Sequence, residues 1–231
     1  MKTLRIALAR GTIFGETASL LERCGFDLAE VRANTRRLIF DTADGTRFIT
    51  TRPSDVPTYV EYGAADVGFV GKDVLLEQGK NVYEVLDLGI GRCRMVFATR
   101  VGEDRSLEAL RHLGTFRVAT KYPNITREYF QERGISPEII KLHGSIELAP
   151  LVGLAEGIVD LTSTGTTLRE NMLEERFQLH ECTTRMIVNR VSHKILAAQV
   201  TELAARLRAA MGGRSSSPPA GAPAPSARGE A

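Results

Sequence analysis

Tryptophan is absent from this chain, and aromatic residues as a whole make up only 6% of its 231 positions. Long apolar runs are absent too. Stretches such as Met95–Ala98 and Ile195–Ala198 fall far short of the roughly 18 residues that a membrane span needs, so no membrane partner is expected. The opening residues MKTLRIALAR are interrupted by charge. They form no secretory apolar region, and a cytoplasmic location is expected. Cysteine is scarce. Cys24, Cys93 and Cys182 are odd in number and lack CxxC spacing, which suggests reduced, mostly buried thiols and neither a disulfide framework nor a zinc site. His112, His143, His180 and His193 are scattered as well, with His180 and Cys182 the only near pair. Charge of one sign is not in excess: 30 basic residues face 28 acidic ones, for a net +2. That balance argues against a nucleic-acid partner, which a strongly basic domain would suit.

What remains is an ordinary globular composition, 43% hydrophobic and 25% charged. The length fits one large domain or two small ones. Residues 212–231, GGRSSSPPAGAPAPSARGEA, hold four of the nine prolines and no aliphatic residue larger than alanine. Such a segment buries too little apolar surface to offset its ordering entropy, and a disordered tail is expected there.

Before that tail, short apolar runs alternate with helical patterns. Strands are expected at Leu4–Ala9, Phe48–Thr51, Val67–Val70, Arg94–Thr99, Arg117–Thr120, Ile139–Leu142, Ile158–Leu161 and Met186–Val188. Helices are expected through Leu20–Cys24 with Gly25 as its stop, after Pro53 with Ser54 as N-cap, over Lys72–Gln78, after Asn124 as a cap, from Gly165 to Leu173, and over His193–Met211. Strand–helix alternation implies an α/β fold with mostly parallel sheets covered on both faces, and the strand count implies two lobes. Ligands bind such folds at the carboxyl ends of strands.

The segment richest in chemistry is Asp160-Leu161-Thr162-Ser163-Thr164-Gly165-Thr166-Thr167-Leu168, between a strand and a helix. Hydroxyls and backbone N–H groups there suit a phosphate monoester. There is no Gly-Lys-Ser/Thr, so it is not a Walker A loop. Asp160 is placed to accept from sugar hydroxyls. Ala9-Arg10-Gly11-Thr12 ends the first strand with a cation, a glycine and a hydroxyl, suited to a second anion. Arg52-Pro53-Ser54-Asp55 offers an arginine whose fork matches phosphate. Gly63–Asp73 (GAADVGFVGKD) and Gly89–Arg94 (GIGRCR) add glycines and further charge.

These blocks resemble the ATP phosphoribosyltransferase family over about Leu4 to Leu207. The most specific block is Glu156–Leu168 (EGIVDLTSTGTTL), supported by Arg52–Pro57 (RPSDVP) and Gly63–Asp73. The resemblance implies two α/β lobes like those of type II periplasmic binding proteins, with the active site in the cleft between them. Residues 1–93 plus 180–211 would form lobe I and residues 94–179 lobe II. It implies condensation of ATP with phosphoribosyl pyrophosphate, with Mg²⁺ carried on the substrate phosphates and few ligands from the protein. Asp160 would hold the ribose hydroxyls, and Thr162, Ser163, Thr164, Gly165, Thr166 and Thr167 the 5′-phosphate. Arg10 and Gly11 would face the pyrophosphate. Arg52 and Arg94 would add charge toward a nucleotide, and Asp66, Asp73 and Glu147 would be orienting groups. No regulatory domain is seen after Met211, so the short form is expected. That form works with a regulatory subunit similar to histidyl-tRNA synthetase, as a homodimer within a larger hetero-oligomer. At the first strand end the family usually has Pro-Lys-Gly-Arg; here Arg10 keeps the charge and Thr12 puts a neutral hydroxyl in the arginine position. On the residues alone, a solute-binding protein of the same architecture and another transferase using the same donor remain as alternatives.

Overall fold

A computed structural model describes residues 4–33, 36–102 and 116–212. In chain order the elements are β1 (Arg5–Ala9), α1 (Phe14–Arg23), α2 (Ala29–Arg32), β2 (Ile39–Asp41), β3 (Arg47–Thr51), a 3-10 turn (Pro53–Asp55), α3 (Val56–Glu61), β4 (Val67–Gly71), α4 (Lys72–Gln78) and β5 (Tyr83–Asp87). They continue as β6 (Cys93–Arg100), β7 (Arg117–Thr120), α5 (Pro123–Gln131), β8 (Glu138–Lys141), α6 (Leu148–Leu151), β9 (Gly157–Thr162), α7 (Thr166–Glu170), β10 (Leu173–Cys182), β11 (Thr184–Val188), α8 (Arg190–Ile195) and α9 (Ala197–Gly212). Of the expected tail, Gly212 ends α9, and residues 213–231 lie outside the described residues.

The strands form two sheets, ordered β2-β3-β1-β4-β11-β5 and β10-β6-β9-β7-β8. The period-2 alternation of side chains divides each sheet's apolar residues between two faces. Ile6, Leu8, Phe48, Phe69 and Met186 enter one core of the first sheet, while Ala7, Ala9, Val70 and Ile187 enter the other. In the second sheet Met95, Phe97 and Val159 face one core, and Val96, Ala98 and Ile158 the opposite one. Both sheets are therefore covered on both sides. Close approach needs glycine at two points. A Cβ on Gly68 would stand 2.7 Å from Val60 and 2.8 Å from Val56 of α3, and one on Gly157 would stand 2.5 Å from the Phe97 ring.

The sheets are mixed and not mostly parallel. β1 runs parallel to β3 and β4, and β7 to β8 and β9. β11 runs antiparallel to β4 and β5, and β6 to β9 and β10. The reason is connectivity: β6, β10 and β11 flank the two passages of the chain from one sheet to the other. The chain leaves the first sheet after Asp87, enters the second at Cys93, and returns between Cys182 and Thr184. Cys93 and residues 180–182, assigned to lobe I from the sequence, thus belong to strands of the second sheet.

Local corrections have local causes. Ser54 caps nothing; its hydroxyl meets Asp55 Oδ1, and Pro53 starts a 3-10 turn ahead of α3. Asn124 lies inside α5, which Pro123 opens. The expected helix over Gly165–Leu173 is α7 alone, and Leu173 already begins β10. The long helix expected from His193 is two helices, broken at Leu196 (φ −117°, ψ 27°), and Asn189 caps the first by accepting from the N–H groups of Val191 and Ser192. The strands β2, β5 and β10 were not foreseen.

Candidate active site

The carboxyl ends of the parallel strands carry the candidate groups. β1 runs into Arg10 and Gly11, β3 into Arg52, and β4 into Lys72 and Asp73. In the second sheet β7 runs into Lys121 and Tyr122, and β9 into the segment 162–167. The two edges meet: Tyr122 Oη donates to Asp73 Oδ2 at 3.1 Å, and the Glu77 carboxylate accepts from the N–H groups of Asn124 and Ile125 at 3.0 and 3.1 Å. The Asn124 amide also donates to the Glu77 carbonyl at 2.9 Å. The N-terminus of α5 is thus capped by a carboxylate from the other lobe, which satisfies donors that a helix start leaves open.

The loop after β9 is held by its own hydroxyls. Gly165 N–H donates to Thr162 Oγ1 at 2.9 Å, and Thr164 and Thr166 hydroxyls are 2.9 Å apart. Gly165 has φ 73°, the left-handed region that glycine reaches without strain. Arg169, one turn into α7, donates to the Thr164 carbonyl at 3.0 Å and to Thr166 Oγ1 at 3.2 Å. Ser163, Thr164, Thr166 and Thr167 are exposed, so their remaining hydrogen-bonding capacity faces solvent. They border a cavity of about 260 Å³ with Glu147, Asp160 and Thr162, floored by Val96, Ile158 and Leu168.

Asp160 accepts from its neighbour Leu161 N–H at 2.8 Å. Burial pushes its carboxyl above the usual carboxylate range, and the nearby negative Glu147 pushes the same way. A cavity with too few donors for its carboxylate is suited to a ligand that brings hydroxyl donors. On the facing edge, Arg10 donates weakly to the Arg37 carbonyl at 3.5 Å, and its buried Nε has no hydrogen-bond partner. A buried cationic donor without an acceptor fits an anionic ligand group. Gly11 beside it has φ 128°, which admits no side chain without strain.

The other sequence candidates divide. Arg52 is exposed at the end of β3, on the same edge as Arg10. Arg94 lies opposite Thr162 in the β6–β9 ladder, but its guanidinium already pairs with Glu175 at 2.6 Å. Asp73 accepts from Tyr122 Oη. Asp66 is a correction. It precedes β4, at the opposite end of the sheet from the cavity. Its buried carboxylate takes Arg5 Nη2 at 2.9 Å, Arg5 Nε and backbone N–H at 3.0 Å each, and Ser192 Oγ at 2.6 Å. These bonds hold its pKa below the usual range despite burial; it ties β1, β4 and α8 together. Arg169 was missed by sequence reasoning, although its position just past the Thr-rich run is where a loop-bracing cation would stand. Among the described residues, no group of three or more His, Cys, Asp or Glu side chains could hold a metal ion. Glu147 and Asp160 are the carboxylates on the cavity, a set that suits Mg²⁺ riding on phosphates with its waters retained.

No helix among the described residues is long and apolar enough to cross a membrane. Residues 52–209 match the family model described as ATP phosphoribosyltransferase. The chain is 52% identical to an ATP phosphoribosyltransferase of Rubrobacter xylanophilus over 206 residues, covering 89% of this chain and 95% of that protein. Its fold matches a chain of the Thermotoga maritima ATP phosphoribosyl transferase (HisG:HisZ) complex with a TM-score of 0.78 and 33% identity, over 92% of this chain and 100% of that one. The alkanesulfonate-binding protein of Xanthomonas axonopodis shares the two-lobe fold at a TM-score of 0.57 and 13% identity, over 90% of this chain and 72% of that one. With the family model spanning most of the chain and 52% identity to a relative over 89% of the chain, this chain belongs to the ATP phosphoribosyltransferase family.

Proposed function

We propose that this chain is the catalytic subunit that condenses ATP with phosphoribosyl pyrophosphate, giving N1-(5-phosphoribosyl)-ATP and pyrophosphate, the first step of histidine biosynthesis. The observation that carries this reading is the hydroxyl-lined loop over a buried carboxyl with one backbone donor, together with an unpartnered guanidinium nitrogen on the facing edge. A phosphorylated sugar with a charged leaving group supplies what each lacks: hydroxyl donors for Asp160 and anions for the loop and for Arg10.

The residues then take distinct tasks. Thr162, Ser163, Thr164, Gly165, Thr166 and Thr167 hold the 5′-phosphate through hydroxyls and backbone N–H groups. Asp160 accepts from the ribose hydroxyls, which lowers its pKa toward the charged form and fixes the anomeric carbon. Arg10 and the open backbone at Gly11 face the pyrophosphate, where negative charge grows as the glycosidic bond breaks. Stabilising that charge and aligning adenine N1 with the anomeric carbon are the sources of rate, and no covalent enzyme intermediate is needed. Adenine N1 is a neutral nucleophile, so no general base is assigned. Mg²⁺ carried on the diphosphate would offset its charge, and Glu147 would accept from the ion's waters. Arg52 adds charge toward a nucleotide, and Arg94 does so by exchanging Glu175 for a phosphate. The proposed setting is cytoplasmic, as a homodimer working with a regulatory subunit similar to histidyl-tRNA synthetase.

The test is an assay of the folded chain with ATP, phosphoribosyl pyrophosphate and Mg²⁺, with and without that subunit, following phosphoribosyl-ATP absorbance. Turnover that rises on adding the subunit is expected. No turnover with the subunit present would overturn the reading.

A further inference from the structure

Two of the three cysteines stand together where the chain passes between the two sheets. Cys93 is the first residue of β6 and Cys182 the last of β10, and they are directly opposed in the antiparallel ladder. The bulges of β10 lie farther back, at Glu175/Phe177 and Gln178/His180, so the ladder is regular from His180 to Cys182. Directly opposed residues point to the same face. Their Cα atoms are about 4.5–5.5 Å apart in such ladders, inside the span of roughly 4.4–6.8 Å that a disulfide bridges. Both cysteines are free thiols here. Cys182 is buried and Cys93 is partly buried. The third thiol, Cys24, is buried in the core of the first sheet and separate from both.

We propose that Cys93 and Cys182 are a modification site: a dithiol that takes a reversible disulfide across the lobe junction by exchange with a low-molecular-weight disulfide. The neighbouring Cys182 thiol holds the Cys93 thiol below the ordinary range, while Cys93 and burial push Cys182 up. Cys93 is therefore the attacking thiolate, being both the more acidic and the more exposed. It attacks one sulfur of the reagent, whose S–S bond breaks and releases one thiolate. Cys182 gives its proton to that leaving thiolate and attacks the Cys93 sulfur, releasing the second reagent thiolate, which is protonated by water. Overall the two protein thiols lose two electrons and two protons, and the reagent becomes two thiols. The bond ties the outgoing passage of the chain to the returning one, next to Thr183, whose hydroxyl donates to Asp87 at 2.7 Å. It also sits one residue from Arg94, which lies opposite Thr162 of the phosphate loop.

The experiment treats the native full chain with glutathione disulfide. Titration of the unfolded product is expected to show its three thiols reduced to one, peptide mapping without reductant to find Cys93 joined to Cys182, and dithiothreitol to restore all three. The variant Cys182→Ser, unable to resolve the mixed disulfide, is expected to keep glutathione on Cys93. Three unchanged thiols in the wild type, a stable adduct without the cross-link, or a bridge to Cys24 would each overturn the proposal. An adduct on Cys24 in place of Cys93 in the serine variant would overturn the order of attack.

Discussion

Tyr122 at the end of β7 donates its hydroxyl to Asp73 at the start of α4, 3.1 Å away, and so links the carboxyl edges of the two sheets. The bond is made to a carboxyl that burial already pushes above the usual range, and it works against that push by favouring the charged form. A carboxyl with a raised folded pKa stabilises the fold fully below its unfolded value, and that stability is lost as pH rises through the folded value. Tyr122→Phe removes a donor to the charged form and should raise Asp73 further. The variant is expected to lose about 1–3 kcal/mol at neutral pH, the usual cost of leaving a buried polar group short of a partner. Its deficit should shrink toward pH 4. Denaturant unfolding at the two pH values measures this, and an equal deficit at both would contradict it.

Asp160 shows the same sign, with repulsion from Glu147 added to burial; both disfavour its charged form. Asp160→Asn is therefore expected to leave the ligand-free protein as stable as wild type at pH 7 or more so, with a flatter fall in stability from pH 4 upward. Phosphoribosyl pyrophosphate turnover should nevertheless fall by about a hundredfold or more, in the range seen when a transition-state contact is removed. Thermal melts paired with kcat/KM separate the two effects. A destabilised variant with normal kcat/KM would reverse the assignment.

The cavity could be read from the sequence because its chemistry is local: the loop's hydroxyls, Gly165 and Asp160 lie within one run that also forms one structural unit. What escaped was non-local. The start of α5 looked like a site for an Asn124 cap, yet its open N–H groups are taken by Glu77, 47 residues earlier in the chain. Strand β10 was hidden because LEERFQLHEC is mostly polar and its two bulges interrupt the alternation that marks a strand. In its middle, Phe177 and Leu179 mark the side packed on a core, and the Phe97 ring stacks on Phe177 at a centroid distance of 4.9 Å. Asp66 misled because it lies in a motif shared with the family, while its neighbours Arg5 and Ser192 come from both ends of the chain.

For Asp66 the linkage runs the other way. Its folded pKa is depressed, so its contribution is present above the unfolded value and is lost as pH falls through the folded one. Asp66→Ala leaves Arg5 and Ser192 without their acceptor and is expected to cost about 3–5 kcal/mol, the scale for breaking a buried ion pair. The loss should be largest at neutral pH and shrink on acidification. In the fraction that folds, KM for both substrates should be unchanged, because the residue lies at the far end of the sheet. A raised KM with full stability would restore Asp66 to the site.

Arg169 tests the loop itself. Its guanidinium bonds the Thr164 carbonyl and the Thr166 hydroxyl, while its side chain stays exposed on α7. Removing it takes two charge-assisted bonds from the loop and leaves no buried group unpaired. Arg169→Ala is therefore expected to melt within a few degrees of wild type. Its KM for phosphoribosyl pyrophosphate should rise about tenfold, from a loss of about 1.5 kcal/mol in holding the loop in its binding shape. Because Arg169 acts through Thr164 and Thr166, Thr166→Val in the Arg169→Ala background should add less than it does alone. Strict additivity of the two in a double-mutant cycle would mean that the arginine contacts phosphate directly and does not position the loop.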